Sequence, residues 1–237
     1  MSKNYYIYKL TLPKVRNLII LFMFCFPMIL LGHGISGADQ LFLTNNPGVH
    51  FNAYLYLGAK HMVTGYDHLL FLAGVIFFLY KIRDVAIYVT LFALGHSATL
   101  LLGVLADIYV NVYLIDAIIG FSVVYKAFEN LDGFKLLGFH PNTKLAVLIF
   151  GLFHGFGLSS KLQDIALADD GLITNMIAFN LGVEVGQFIA LVFILLFFNF
   201  WRSKPSFNQH AQLGNYVLMT LGFLLMAYQL TGYLLLS

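Results

Sequence analysis

Long apolar stretches separated by short polar connections divide nearly the whole chain. An apolar run covers residues 18–31, and a polar stretch holding His33, Asp39, Asn45, Asn46 and His50 follows it. Apolar sequence then recurs over residues 53–80, 85–106, 113–130, 144–162, 172–201 and 214–236, with Lys81, Arg83 and Asp84 marking the first tight connection. One bilayer crossing takes about 20 mainly apolar residues to span roughly 30 Å of hydrocarbon, so these six stretches predict six membrane helices. Backbone inside lipid must bond internally, and the stretches are too long and too uniformly apolar for barrel strands. The expected fold class is therefore all-α, a polytopic membrane helical bundle, with no soluble domain of useful size left over.

The first apolar run has a different character. It is about 14 residues long and is preceded by Lys3, Lys9, Lys14 and Arg16, with Gly32, Gly34, Ser36 and Gly37 after it as possible cleavage points. Residues 1–32 read as a signal peptide, leaving an integral membrane domain over 33–237; retention as a seventh helix is the alternative. Composition agrees with a membrane setting: 60% of the 237 residues are hydrophobic and only 10% charged, far from the balance of a soluble domain. Charge gives orientation. With the N-terminus in the cytoplasm, Lys81/Arg83, Lys135/Lys144 and Arg202/Lys204 all fall inside, as the positive-inside rule requires. The C-terminus and the loops near 33–52, 107–112 and 163–172, with Asp39, Asp107, Asp164, Asp169 and Asp170, fall outside. In a Gram-negative bacterium that places the chain in the inner membrane with these loops in the periplasm. A net charge of +2 without a Lys/Arg run argues against nucleic acid as a partner.

Four ionisable residues sit where hydrocarbon makes them expensive: His68, His96, His154 and Glu184, each within a different apolar stretch. Such groups are tolerated mainly when they face the bundle interior and find partners, so they are expected to converge. The single cysteine, Cys25, excludes a Cys-x-x-Cys site, and a metal centre here would use imidazole and oxygen. That donor set suits Zn, Ni, Cu or Fe rather than Mg or Ca. The fullest motif runs His61-Met62-Val63-Thr64-Gly65-Tyr66-Asp67-His68. On a straight helix His61 and His68 lie about 10.5 Å apart along the axis, too far for one ion. Either an irregular turn at Thr64 and Gly65 draws them together, or they are successive stations. Asp67 points about 100° away from His68 on a regular helix and reads as a carboxylate supporting the histidine or as a ligand towards a neighbouring helix. The bland alternative is a polar network that locks helices together.

Three further segments complete the candidate set. Leu94-Gly95-His96-Ser97 puts a histidine among small residues that permit close helix approach. Gly151-Leu152-Phe153-His154-Gly155-Phe156-Gly157 surrounds another with glycines, and Asn180, Glu184 and Gln187 share one helical stripe. The expected metal set is His61, Asp67, His68, His96, His154 and Glu184, supported by Thr64, Ser97, Asn180 and Gln187, with His33 and His50 on the outer approach. A Ser159–His154 nucleophile pair is disfavoured, since five residues separate them by about 140° around a helix.

At these motifs the chain resembles the HupE/UreJ family of membrane proteins. The likeness rests on the His-x5-Asp-His motif with Leu69-Leu70-Phe71-Leu72, on Leu94-Gly95-His96-Ser97 and Ala127-Phe128-Glu129-Asn130-Leu131, and on Phe153-His154-Gly155-Phe156-Gly157 and the segment from Phe179 to Gln187. It extends from about His33 to the last helix. The resemblance implies association with hydrogenase and urease maturation, and Ni²⁺ movement through His61, Asp67, His68 and His154. One departure is visible: nickel-permease members carry a second histidine and a glutamate shortly after Phe-His-Gly, whereas Phe156-Gly157-Leu158-Ser159 stands here, as in a broader second branch. Three expectations therefore stand: a permease or metal-delivery accessory protein for Ni²⁺ or a related ion such as Zn²⁺; an intramembrane metal-dependent hydrolase with Glu184 or Asp67 as base; and an accessory subunit with a structural polar core.

Overall fold

Apolar side chains repeating at helical spacing, with few prolines to interrupt them, leave the chain one regular structure. The computed structural model describes residues 37–164 and 170–236, and every regular element among them is a helix. The apolar run 18–31 and His33 lie outside the described residues. In chain order the helices are α1 (Gly37–Asn45), α2 (Phe51–Thr64), α3 (Tyr66–Ile76), α4 (Ile82–Leu105), α5 (Val112–Asn130), α6 (Gly133–Leu136), α7 (Thr143–Gln163), α8 (Leu172–Arg202) and α9 (Phe207–Leu236). Four of them, α4, α7, α8 and α9, are long and apolar enough to cross a membrane. Helix α3 is apolar but only 11 residues long, and α5 carries Asp116, Lys126 and Glu129.

The stretch 53–80 is not one helix. Gly65 adopts an extended conformation, φ −71° and ψ 97°, and serves both as the C-cap of α2 and the N-cap of α3. Its N–H donates to the His61 carbonyl at 2.8 Å, and its own carbonyl accepts from Leu69 N–H at 3.1 Å, so the break leaves neither group unsatisfied. At the far end of α3, Asn130 of α5 donates to the Gly74 carbonyl at 2.8 Å, and the Arg202 guanidinium donates to the carbonyls of Ile76 and Phe77. Side chains of other helices thus supply the partners that a helix end lacks. Asn111 and Asn142 cap α5 and α7 by accepting from backbone N–H groups of the first turn.

Three helix pairs build the bundle: α2 with α8, α4 with α7, and α5 with α9. Small residues make each pair possible. A Cβ on Gly58 would lie 2.0 Å from the Phe179 carbonyl oxygen and one on Gly182 2.0 Å from that of Leu55; across α4 and α7, a Cβ on Gly151 would meet the Phe92 oxygen at 2.5 Å. Backbones this close leave no room for any larger residue. The register of these contacts also gives direction. Phe92 faces Gly151, His96 faces Gly155 and Gly103 faces Ser159, so α4 and α7 run parallel; α2 and α8 do likewise. Helices α5 and α9 run antiparallel, with Tyr113 beside Gly232 and Val124 beside Gly222. Outward faces are apolar, Phe188 and Phe193 each being 68% exposed.

Candidate metal centre

The extended backbone at Gly65 breaks the helix between His61 and His68. As a result the His61 and His68 rings meet edge to face with centroids 5.0 Å apart. Of the two geometries open to the motif, the structure has the irregular turn. A Cβ at position 65 would stand 2.9 Å from both the His61 carbonyl oxygen and His68 Nδ1, so the tight turn is also glycine's place.

Close packing of α4 on α7 delivers the other two imidazoles. Thr99 donates to the Leu152 carbonyl across the pair at 2.7 Å. The His68 ring lies 5.7 Å from that of His96 and 4.9 Å from that of His154. His61, His68 and His96 each offer one ligand atom, and these atoms all lie within 4.8 Å of one another. His68, His96 and His154 are buried and His61 is partly so.

Hydrogen bonds set how these rings present themselves. His68 Nδ1 lies 2.9 Å from Asp67 Oδ1, and an ionised carboxylate only accepts, so Nδ1 carries the proton and Nε2 offers its lone pair. His154 does the same through the Phe150 carbonyl at 2.7 Å. The Nε2 atoms of His68 and His154, and both nitrogens of His96, are buried without a hydrogen-bond partner. An unsatisfied buried polar atom costs about 1–3 kcal/mol, and several in one cluster describe a donor set suited to a cation. A divalent transition metal fits these neutral imidazoles.

The family assignment agrees with this site. A sequence model described as HupE / UreJ protein matches residues 37–237. The chain belongs to the HupE/UreJ family. No curated protein and no solved structure matches it.

The other candidate residues of this HupE/UreJ protein have their own surroundings. Glu184 is exposed on α8, outside the three-histidine group, and lines a groove of about 330 Å³ with Ser97 and Gln187. Gln187 is buried and donates to the Val89 carbonyl at 3.2 Å, tying α8 to α4. The buried Oγ of Ser97 and Oδ1 of Asn180 have no hydrogen-bond partner. The Thr64 hydroxyl turns away and donates to the Lys60 carbonyl at 2.8 Å. His50 precedes α2, where its N–H donates to Asn175 Oδ1 at 2.9 Å and its Nε2 lies 3.3 Å from the Pro47 carbonyl. The Ser159 hydroxyl donates to the Phe156 carbonyl.

Sequence reasoning missed two polar contacts. Asp116 of α5 pairs with Lys161 of α7 at 2.8 Å, and Asn130 donates to Asn215 Oδ1 of α9 at 2.9 Å. Partners 45 and 85 residues apart carry no local spacing signal. Their only trace in the sequence is that each is a polar residue in an otherwise apolar stretch.

Proposed function

We propose that this HupE/UreJ protein is a six-crossing bacterial inner-membrane protein that binds Ni²⁺, or a related divalent ion such as Zn²⁺, at the histidine cluster and passes it towards the cytoplasm. The observation carrying this reading is the convergence of His61, His68 and His96 ligand atoms within 4.8 Å in a mostly buried site. Helices α2 and α3 together make the first crossing and α5 the third. The charges of α5 suit that role because they are paired, Asp116 with Lys161 and Lys126 with Glu129 at 2.6 Å. Lys81, Arg83, Lys144 and Lys204 then mark the cytoplasmic side, and Asp39, Asp107, Asp164 and Asp170 the periplasmic side.

The chemistry follows from the donors. Imidazole binds these ions at about 2.0–2.1 Å, which needs nitrogens within roughly 3.5 Å of one another. Ligand atoms spread over as much as 4.8 Å must draw in by about an ångström as an ion arrives. A site that pays this small cost binds less tightly than a preformed cage, which favours passage over trapping. Asp67 keeps the His68 proton on Nδ1 throughout. Delivery to a metalloenzyme-maturation partner in the cytoplasm is the corresponding biological role.

The test is metal analysis of detergent-purified protein for Ni, Zn, Fe and Cu, together with uptake into reconstituted vesicles. Saturable Ni²⁺ or Zn²⁺ uptake that His68→Ala abolishes is the expected result. A stoichiometric ion that resists chelation, with no uptake, would instead identify a fixed hydrolytic centre. Neither binding nor uptake would leave a structural polar core.

A further inference from the structure

Glu184 is an ionisable residue that the histidine cluster does not use. It lies near the middle of α8, a helix long and apolar enough to cross a membrane, and it is exposed there. It forms neither an ion pair nor a hydrogen bond with another described residue. A carboxyl facing hydrocarbon without a partner is expensive, and a purely structural position on that face would be better served by leucine.

Two stripes at one-turn spacing meet where this carboxyl sits: Thr90, Leu94 and Ser97 on α4, and Glu184, Phe188 and Leu191 on α8. They line the groove of about 330 Å³, and Gln187 beside them donates to the Val89 carbonyl across the seam. The groove runs about 12 Å along α4 and about 10 Å along α8, against roughly 30 Å for a bilayer crossing. It lies at mid-length of both helices, which span Ile82–Leu105 and Leu172–Arg202. So short a groove does not seat a membrane helix along its face. So central a groove is out of reach of a charged phospholipid head, which stays outside the hydrocarbon. A mostly apolar concavity with a few placed polar groups is the form of a small-molecule site, and its ligand must be neutral enough to dissolve in the bilayer interior.

The polar groups narrow the choice. An ionised carboxylate only accepts, and the buried Ser97 Oγ has no hydrogen-bond partner in the protein, so a head with two oxygens, at least one of them a hydroxyl, serves both. A phenolic hydroxyl is a stronger donor to a carboxylate than an alkanol. A flat aromatic head also suits the ring of Phe188, which is 68% exposed. We propose that this groove binds an isoprenoid quinol, with Glu184 accepting from one hydroxyl, Ser97 serving the other oxygen and the tail lying in the surrounding lipid. The proposal goes beyond the metal-passing reading and does not depend on it, since binding requires no ion.

The experiment measures binding of radiolabelled decyl-ubiquinol to the detergent-purified full chain, anaerobically and without added metal. Expected is saturable binding of one quinol per chain. The oxidised quinone, which has no hydroxyl to donate, and the Glu184→Leu variant should each weaken binding about tenfold. Glu184→Leu should be no less thermally stable than wild type, because its position faces lipid. Leu94→Trp, which fills the groove, should lose binding, and Phe193→Leu, exposed on α8 beyond the groove, should not. Absence of saturable binding by the wild type, equal affinity for quinone and quinol, or wild-type affinity in Glu184→Leu would overturn the proposal. Equally effective displacement by dioleoylglycerol would assign the groove to a glyceride, and a wild-type dimer that Glu184→Leu dissociates would assign it to a second copy of the chain; either overturns the quinol.

Discussion

At the scale of single residues, Asp67 and Gly65 hold the most leverage. In the proposed metal site Asp67 would act through His68, its carboxylate fixing which nitrogen carries the proton. Removing such a partner commonly costs 10–100-fold in metal affinity, so Asp67→Ala is expected to weaken Ni²⁺ binding in that range by competition titration, with Asp67→Asn between it and wild type. Gly65→Ala forces a Cβ against His68 Nδ1 and the His61 carbonyl; it is expected to lower affinity at least tenfold while helix content by circular dichroism stays unchanged. The motif residues themselves are conspicuous in the sequence, because charge and imidazole are rare in apolar stretches. The distance between His61 and His68 is not. Glycine inside a helical pattern is tolerated at a cost of about 1 kcal/mol, so its presence alone does not announce a break, and hydrogen bonds from other elements to the end of α3 support the break seen here.

Among the elements, the contact of α4 with α7 decides whether His96 and His154 reach the cluster. Leucine at position 155 would carry its Cβ to 2.2 Å from the His96 carbonyl oxygen and push the pair apart. Gly155→Leu should therefore lose both the ion and several degrees of thermal stability. Thr99→Val removes one interhelical hydrogen bond and should cost about 1 kcal/mol in reversible unfolding, a deliberately milder lesion. Most helix positions follow from apolar runs, but their limits do not. Helix α9 starts at Phe207, seven residues ahead of the apolar run at 214, since Asn208, Gln209, His210 and Gln212 favour no membrane interior yet continue a helix readily. Helix α1 lies within a stretch that reads as polar connection; its Leu43 is buried in the same core as Tyr54 and Leu57, a tertiary contact that local hydropathy cannot register.

For the molecule as a whole, buried ion pairs carry part of the stability, and the proposed bound ion would add to it. Asp116 is 4% exposed and answers Lys161; stripping the cation leaves an uncompensated buried carboxylate, so Lys161→Ala should cost about 3–5 kcal/mol. Lys135, with Asp132 on the exposed surface, offers the control, and its removal should change stability by less than about 1 kcal/mol. Bound metal adds to the folded state: at a free concentration 100 times Kd it contributes about 2.7 kcal/mol. The resulting rise in Tm should vanish in His68→Ala.

The pairing of α2 with α8 has a consequence for biogenesis. The glycine face of α2 is complete only when α8, about 120 residues further on, has left the ribosome. At 5–20 residues per second that is a wait of about 6–24 s, during which, in the proposed six-crossing arrangement, His61, Asp67 and His68 would stand in the bilayer without their neighbours. Their safe passage calls for shelter by the insertion machinery until α8 arrives, and truncation before α8 should convert a stable membrane protein into a substrate for membrane proteases.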